Sequence, residues 1–260
     1  MVKVKEITDY LLKKYPLDLA SDFDSGKIGL QFGSMSAPVK KVMLALDGTK
    51  NVIDEAIDKK VDLLILHHPF MFSPLLNLDY DSVFGKKLLK VFDNRLNIFA
   101  MHTNFDVAKD GMNFILANLL ELKNIKSINN EIDNNSFLRI GETNKVSLEE
   151  FAAFVKKKFN EKYVRVIGDE TRKVRKVAVV GGAGSSFVLQ AKKLGCDVIV
   201  TGEIHHNNAI DALEWNMAVV EVSHSVEGLY KETVLSDLSK NFESVEFVLS
   251  CTDNNPFKWI

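Results

Sequence analysis

The sequence predicts an α/β protein: two similar three-layer domains with mixed, largely parallel sheets, related by a pseudo-two-fold duplication. Buried apolar runs of strand length alternate with amphipathic helical segments along most of the 260 residues, which is typical of sheets covered by helices on both faces. The same order of strands and helices occurs twice. Every histidine lies within a few residues after a predicted buried strand.

The first half of the chain opens with an amphipathic helix, in which Val4, Ile7 and Leu11 share one face. The glycine-punctuated segment 26–33 is typical of a strand or a loop. Further elements follow in alternation: strands at residues 41–46, 61–66 and 97–101, and helices at residues 52–57, 84–92 and 111–122.

A polar, asparagine-rich segment at residues 124–145 indicates the main boundary, so we predict domains at residues 1–127 and 128–260. After it, Ser147 and Glu150 have the spacing of a capping box that opens a helix. The remaining predicted elements are strands at residues 176–180, 196–200 and 218–222 and a helix at residues 187–194.

Two pairs of segments support the duplication. Residues 61–68 (VDLLILHH) match residues 196–203 (CDVIVTGE), and residues 98–106 (IFAMHTNFD) match residues 219–227 (VVEVSHSVE). In the second pair each strand is followed by a histidine and then by an acid. We therefore expect one βαβαβ unit to be used twice.

Composition excludes several classes of protein. The formal net charge is -2, without the basic footprint of a nucleic-acid-binding protein. The two cysteines are far apart, which indicates reduced thiols rather than a disulfide framework. No apolar run approaches the roughly 20 residues needed to cross a bilayer. We expect a cytoplasmic protein with no membrane or nucleic-acid partner.

The histidines indicate a metal site. A lone histidine at a strand end is more often structural, but six of them follow strands, and ligands of open α/β sheets bind beyond the carboxyl ends of the strands. Asp106 and Glu227 follow two of them closely. Imidazole and carboxylate together suit divalent Zn, Fe, Mn, Ni or Co. Five or more such ligands, with bridging carboxylates, fit two ions about 3.5–4 Å apart. The six are His67, His68, His102, His205, His206 and His224.

Two further features allow more than one interpretation. The segment 181–184 (GGAG) is either a tight strand-to-helix turn or a phosphate cradle at a helix N-terminus, and the missing P-loop lysine favours the turn. Glu203 has three possible roles. It is a carboxylate that orients a metal ligand, a general base, or an acidic residue stabilised by the helix dipole at a helix N-terminus. No GxSxG motif supports a nucleophilic serine.

These motifs resemble the signature series of the Nif-three-like family, whose members are known as homologues of GTP cyclohydrolase I type 2. The resemblance runs in order over nearly the whole chain. It is carried by residues 29–33 (GLQFG), 62–70 (DLLILHHPF), 100–106 (AMHTNFD), 181–184 (GGAG), 201–206 (TGEIHH), 223–227 (SHSVE) and 255–257 (NPF).

The resemblance implies two divalent metal ions per chain at a centre between two α/β domains, and a ring-shaped homohexamer built as a trimer of dimers. The implied metal ligands are His67, His68, Asp106, His224 and Glu227. One departure concerns the last motif, where the acid follows the histidine by three residues instead of the usual four. In an α-helix that change rotates the carboxylate by about 100°. Glu221 and Glu232 are poorer alternatives to Glu227.

The sequence is compatible with two functions. The first is a metal-dependent hydrolase that acts on a small molecule, a nucleotide, with GTP ring opening as the implied reaction. His102, Glu203 and His206 are then the candidates for proton transfer or for orienting ligands. The second is a non-enzymatic metal-binding or regulatory protein that presents the site to a partner. An open coordination position and a substrate-sized pocket would favour the enzyme.

Overall fold

The structure, a computed structural model, describes residues 1–128, 137–253 and 255–257. In this part of the chain the strands form one five-stranded and one six-stranded sheet. In chain order the strands are β1 (Gly29–Phe32), β2 (Lys41–Ala45), β3 (Leu63–Leu66), β4 (Asn97–Ala100), β5 (Lys123–Ile128), β6 (Leu138–Ser147), β7 (Arg165–Ile167), β8 (Lys173–Ala183), β9 (Val198–Glu203), β10 (Ala218–Glu221) and β11 (Glu246–Leu249).

The helices mostly follow the predicted pattern. Over the described ranges, none combines the length and the apolar character that a membrane span requires. Short 3₁₀-helices cover Leu17–Leu19, Asp22–Asp24, Ser185–Phe187 and His224–Leu229. The α-helices are α1 (Val4–Lys14), α2 (Lys50–Asp58), α3 (Val83–Asp93), α4 (Thr103–Val107), α5 (Met112–Leu119), α6 (Leu148–Lys158), α7 (Val188–Lys193), α8 (His206–Glu214) and α9 (Tyr230–Asn241).

The chain divides into two compact units. Unit 1 comprises residues 1–105 and the described residues from 228 onward, and unit 2 comprises the described residues of 106–227. This division differs from the predicted domains 1–127 and 128–260, because β11 returns to pair with β2 and β5 pairs with β6. The chain therefore crosses between the units twice, and each crossing adjoins an implied metal ligand, Asp106 or Glu227.

The sheet of unit 1 has the order β1-β4-β3-β2-β11. Its last four strands run parallel, and β1 lies antiparallel at the edge beside β4. All four residues of β3 are buried, as expected for a central strand covered by helices on both faces. The segments that carry the first three histidines leave β3 and β4 at their carboxyl ends.

The sheet of unit 2 has the order β5-β6-β8-β9-β10-β7, with β8, β9 and β10 parallel and the other pairs antiparallel. The described parts of the predicted boundary segment 124–145 form strands β5 and β6. Its polar composition has a structural reason, because β5 lies at the sheet edge with most of its residues exposed. Residues 129–136 of that segment lie outside the described residues.

The repeated βαβαβ order is present in both units, as β2-α2-β3-α3-β4 and as β8-α7-β9-α8-β10. The aspartates at the second position of the matched segments, Asp62 and Asp197, have the same role. Asp62 accepts hydrogen bonds from the backbone N–H groups of Lys40 and Lys41 at 2.7 and 3.0 Å. Asp197 accepts from residues 175 and 176 at 2.9 and 2.8 Å. Each aspartate thus fastens the amino end of the neighbouring parallel strand.

Candidate metal centre

Three histidines gather at the carboxyl ends of β3 and β4 in unit 1. The ring centroids of His67 lie 5.1 Å from His68 and 5.3 Å from His102, and the latter two rings are 5.7 Å apart. One nitrogen from each ring lies within 4.8 Å of the others. The adjacent strands β3 and β4 are parallel, so their carboxyl ends lie side by side. His67 and His102 are therefore close in space although they are 35 positions apart in sequence.

His67 is fully buried, and its ring packs beside Tyr230 at a centroid distance of 5.5 Å. The Tyr230 hydroxyl donates to the carbonyl oxygens of Ala45 and Ile65 at 2.6 and 3.0 Å. Burial raises the pKa of Tyr230 well above its usual value, so the hydroxyl stays protonated and continues to donate. The Tyr230 hydroxyl therefore bridges the carboxyl-terminal parts of β2 and β3 beside His67.

His102 is oriented by Asp24, a residue that the sequence analysis did not select. Its Nδ1 lies 2.7 Å from Oδ2 of Asp24, which also accepts from the backbone N–H and the hydroxyl of Thr103. Burial acts to raise the pKa of Asp24, but the hydrogen bonds from His102 and Thr103 outweigh it and lower the pKa. The ionised carboxylate holds a proton on Nδ1, which leaves Nε2 able to accept a proton or to contact a metal ion.

His68 has the same kind of partner. Its Nδ1 lies 2.8 Å from Oδ1 of Asp47, which lies two residues beyond the end of β2. The backbone there is held by Asp253, whose carboxylate accepts from the N–H groups of Leu46 and Asp47 at 2.6 and 3.3 Å. Lys231 donates to the same carboxylate at 2.7 Å. The C-terminal segment of unit 1 thereby fixes the residue that orients His68.

In unit 2 the predicted ligand His224 has a carboxylate on each ring nitrogen. Nδ1 lies 2.7 Å from Oε1 of Glu203, and Nε2 lies 3.0 Å from Oε2 of Glu227. Glu203 is the last residue of β9, and its side chain is partly exposed. Of the three roles considered for Glu203, this contact favours that of a carboxylate orienting a ligand.

The shortened spacing between His224 and Glu227 has a local explanation. Both residues lie in the 3₁₀-helix His224–Leu229. A 3₁₀-helix has three residues per turn, so side chains three positions apart eclipse each other. The rotation of about 100° expected for an α-helix therefore does not arise. Of the two alternatives, Glu221 instead pairs with Arg165, and Glu232 is exposed on α9.

Asp106 lies in the same unit and is held through its backbone. Its carbonyl oxygen accepts from Nδ2 of Asn113 at 3.2 Å, and Oδ1 of Asn113 accepts from the N–H of Gly181 at 2.6 Å. One carboxylate oxygen of Asp106 lies within 4.8 Å of one from Glu227, and both residues are buried. Two buried carboxylates this close favour a bound cation.

A buried arginine supports this segment. The guanidinium of Arg139, on β6, donates to the carbonyl oxygens of Val107 and Ala108 at 2.7 and 2.9 Å. These carbonyls follow Asp106 at the end of α4. Burial lowers the pKa of Arg139 to about 10, and the charge of Asp106 acts in the opposite direction. Arg139 thus places a positive charge behind the carboxylate, a role that its position in a polar segment did not reveal.

The glycines in the segment 181–184 leave space for the side chains of Glu227 and Thr201. A Cβ atom on Gly182 would lie 2.7 Å from Oε1 of Glu227, and its φ of +57° also favours glycine. A Cβ atom on Gly184 would lie 2.1 Å from the hydroxyl oxygen of Thr201. The neighbouring carboxylate would repel an anion, so the geometry favours the turn over the phosphate cradle.

The donor atoms of both units fit divalent transition metals, since they are imidazole nitrogens and carboxylate oxygens. Three histidines have a carboxylate on Nδ1, an arrangement found around metal-ligating histidines. His205 and His206 are exposed at the start of α8. Neither belongs to a potential metal-binding group among the residues that the structure describes.

Comparisons with known proteins agree with the fold and with the sequence motifs. The model of the Duf34/NIF3 (NGG1p interacting factor 3) family matches residues 2–256. A GTP cyclohydrolase 1 type 2 homolog from Clostridium acetobutylicum is 35% identical, covering 86% of this chain and 84% of the relative. One from Clostridium perfringens is 30% identical over the full length of both. The crystal structure of a Bacillus cereus protein related to NIF3 superposes with a TM-score of 0.91 at 27% identity, covering 100% of this chain and 99% of that one.

Proposed function

The chain belongs to the Duf34/NIF3 family, and from that premise we propose that it is a metal-dependent hydrolase acting on a nucleotide, with GTP ring opening as the first candidate reaction. The observation that carries the proposal is the pairing of His68, His102 and His224 with a carboxylate at Nδ1. Such pairs fix the tautomer and the direction of the ligand nitrogen before a metal arrives.

We further propose that two divalent ions bind, and the imidazole and carboxylate donors suit Zn, Fe, Mn, Ni or Co. The proposed ligands are the imidazoles of His67, His68 and His224 and the carboxylates of Asp106 and Glu227. Bound ions would contribute Lewis acidity, which lowers the pKa of water and polarises an electrophilic carbon.

The remaining polar groups orient the ligands and transfer protons. Asp47 and Asp24 hold the imidazoles of His68 and His102 in one tautomer. His102, Glu203 and His206 are the proposed groups for proton transfer or for orienting ligands. Glu203 is suited to both, because one of its oxygens contacts His224 and its carboxylate is partly exposed.

The first test is the metal content of the untagged protein, purified without added metal, followed by incubation with GTP and chromatography of the nucleotide. About two ions per chain with loss of intact GTP supports the proposal, and His68→Ala should abolish that loss. Two ions without turnover of any nucleotide would favour the alternative, a non-enzymatic metal-binding or regulatory protein. No metal after reconstitution with Zn, Mn and Fe would overturn both.

We also propose a homohexamer, as the family resemblance implies. The loop between His68 and α3 supports association, because it exposes Leu75, Leu76, Leu78 and Tyr80, and apolar patches of this kind mark interfaces. Light scattering coupled to gel filtration should give six chains of 29.2 kDa, or about 175 kDa. A mass of one chain at micromolar concentration would contradict it.

A further inference from the structure

Two exposed phenylalanines flank one of the histidines of unit 1. Phe23 lies in the 3₁₀-helix Asp22–Asp24, and Phe72 lies in the loop that follows the histidine pair. The two residues are 57% and 51% exposed. Each ring centroid lies 6.3 Å from that of His102, and each ring is nearly perpendicular to the imidazole, at 78° and 80°.

A lysine lies over both aromatic rings. The Nζ atom of Lys27 is 3.9 Å from the centroid of Phe72 and 5.5 Å from that of Phe23. Cation–π attraction holds the ammonium group there, while the flexible four-carbon stem lets it follow an arriving ligand. The three side chains therefore combine two aromatic rings and one positive charge beside His102.

Both phenylalanines are held by fixed contacts of their neighbours. Asp24, next to Phe23, is buried and bonds His102 and Thr103. The loop before Phe72 is fastened by Gln31, whose side chain accepts from the N–H of Phe70 and donates to the carbonyl of Met71. The backbone positions of both rings are thus set from adjacent residues, which reduces the ordering cost of binding a ligand.

Single exposed phenylalanines are common and need no explanation. Here, however, two rings that lie 49 positions apart in sequence approach the same histidine, and one lysine contacts both. Proteins that bind single-stranded nucleic acids without sequence preference stack the bases on aromatic side chains and pair the phosphates with positive charges, and the same contacts suit a single nucleotide.

We propose that Phe23, Phe72 and Lys27 form a binding site for a nucleoside phosphate. The planar base stacks on the phenylalanine rings, and the phosphate pairs with the ammonium group of Lys27. This inference rests on the proposed function and names the recognition elements for its substrate class. A ring face does not distinguish base edges, so these three residues bind ATP and GTP with similar affinity.

The test is isothermal titration calorimetry of the full chain, with metal content measured on the same samples. The probes are GTP, ATP, guanosine and inorganic triphosphate. Phe23→Leu and Phe72→Leu retain apolar bulk without the ring, and Phe92→Leu is the matched control, because Phe92 is an exposed phenylalanine that packs beside Phe32. Lys27→Gln is compared with Lys13→Gln, a change at an exposed lysine on α1.

Stacking on an aromatic side chain contributes roughly five- to hundred-fold in affinity per base. Each of Phe23→Leu and Phe72→Leu should therefore raise the Kd for GTP and ATP at least five-fold, with metal content and the Phe92→Leu control unchanged. Lys27→Gln should weaken GTP binding but not guanosine binding. Affinities within two-fold of the wild type in both phenylalanine variants would overturn the site while leaving the proposed metal-dependent function standing. If the metal-loaded wild type binds none of the four probes, the proposed nucleotide site is also overturned.

Discussion

Asp106 and Glu227 occupy equivalent positions in the two copies of the repeated βαβαβ unit. Each is nine residues beyond the first residue of its strand, β4 or β10, and these strands lie parallel beside the middle strands β3 and β9. The histidines do not share this register, because His102 and His224 follow the same strand starts by five and six residues. The duplication therefore keeps the carboxylate in place and shifts the histidine.

This equivalence predicts equal consequences for the two carboxylates. Asp106→Asn and Glu227→Gln should each lower bound metal per chain by at least half, because each removes an anionic ligand while keeping side-chain volume. Elemental analysis measures the loss, and circular dichroism checks the fold. Glu221→Gln is the control, since Glu221 pairs with Arg165. Full metal content in Glu227→Gln would reject this ligand despite its contact with His224.

Asp24 should affect the metal affinity through His102, because one nitrogen of His102 lies within 4.8 Å of nitrogens of the proposed ligands His67 and His68. We expect Asp24→Asn to weaken metal binding about 10- to 100-fold, because the amide no longer fixes the imidazole as the carboxylate does. Competition with a chromophoric chelator measures the affinity. Asp22→Asn, an exposed change in the same 3₁₀-helix, should leave the affinity unchanged. Equal affinities in both variants would remove Asp24 from the binding mechanism.

The stability of unit 1 should depend on pH through Glu55. Burial acts to raise the pKa of Glu55, but hydrogen bonds from Cys251, Lys59 and Ser250 outweigh it and hold the pKa far below its usual value of 4.5. A carboxyl with a depressed folded pKa stabilises the fold fully above about pH 4.5 and loses this contribution as the pH falls.

Glu55→Gln should therefore lower the free energy of unfolding by about 2–3 kcal/mol at pH 7, since hydrogen bonds to a charged group are lost. The difference from the wild type should shrink below pH 4.5. Urea unfolding at several pH values measures it, with the exposed Glu232→Gln as the control. A difference that stays constant down to pH 3 would contradict this assignment.

The two thiols should react at very different rates. Cys196 is buried, and burial raises its pKa to about 11, so almost no thiolate forms at neutral pH. Cys251 is exposed. A chromogenic disulfide reagent at pH 7.5 should label one thiol per chain quickly and the second only after unfolding. Cys251→Ser should abolish the fast phase, and its persistence would place the reactive thiol at Cys196 instead.

Much of the fold was predictable because the local pattern of apolar and polar residues indicates which side chains are buried. The apolar runs at β3 and β9 and the helical stripe of α2 predict elements that the structure confirms within a few residues. The repeated βαβαβ unit was predictable for the same reason, because each copy needs buried strands alternating with amphipathic helices to build a parallel sheet covered on both faces. The edge strand β5 was missed because half-exposed strands carry polar residues that are typical of linkers.

The sequence by itself determined that histidines and carboxylates follow buried strands, and the donor chemistry that this implies. Only the tertiary structure decided which carboxylate contacts which imidazole. Asp24 lies 78 positions from His102, and no local pattern marks it. The 3₁₀ geometry at Glu227 likewise depends on the chain around it. Local periodicity reports which side chains are buried, whereas partners distant in sequence meet only when strands and loops pack together.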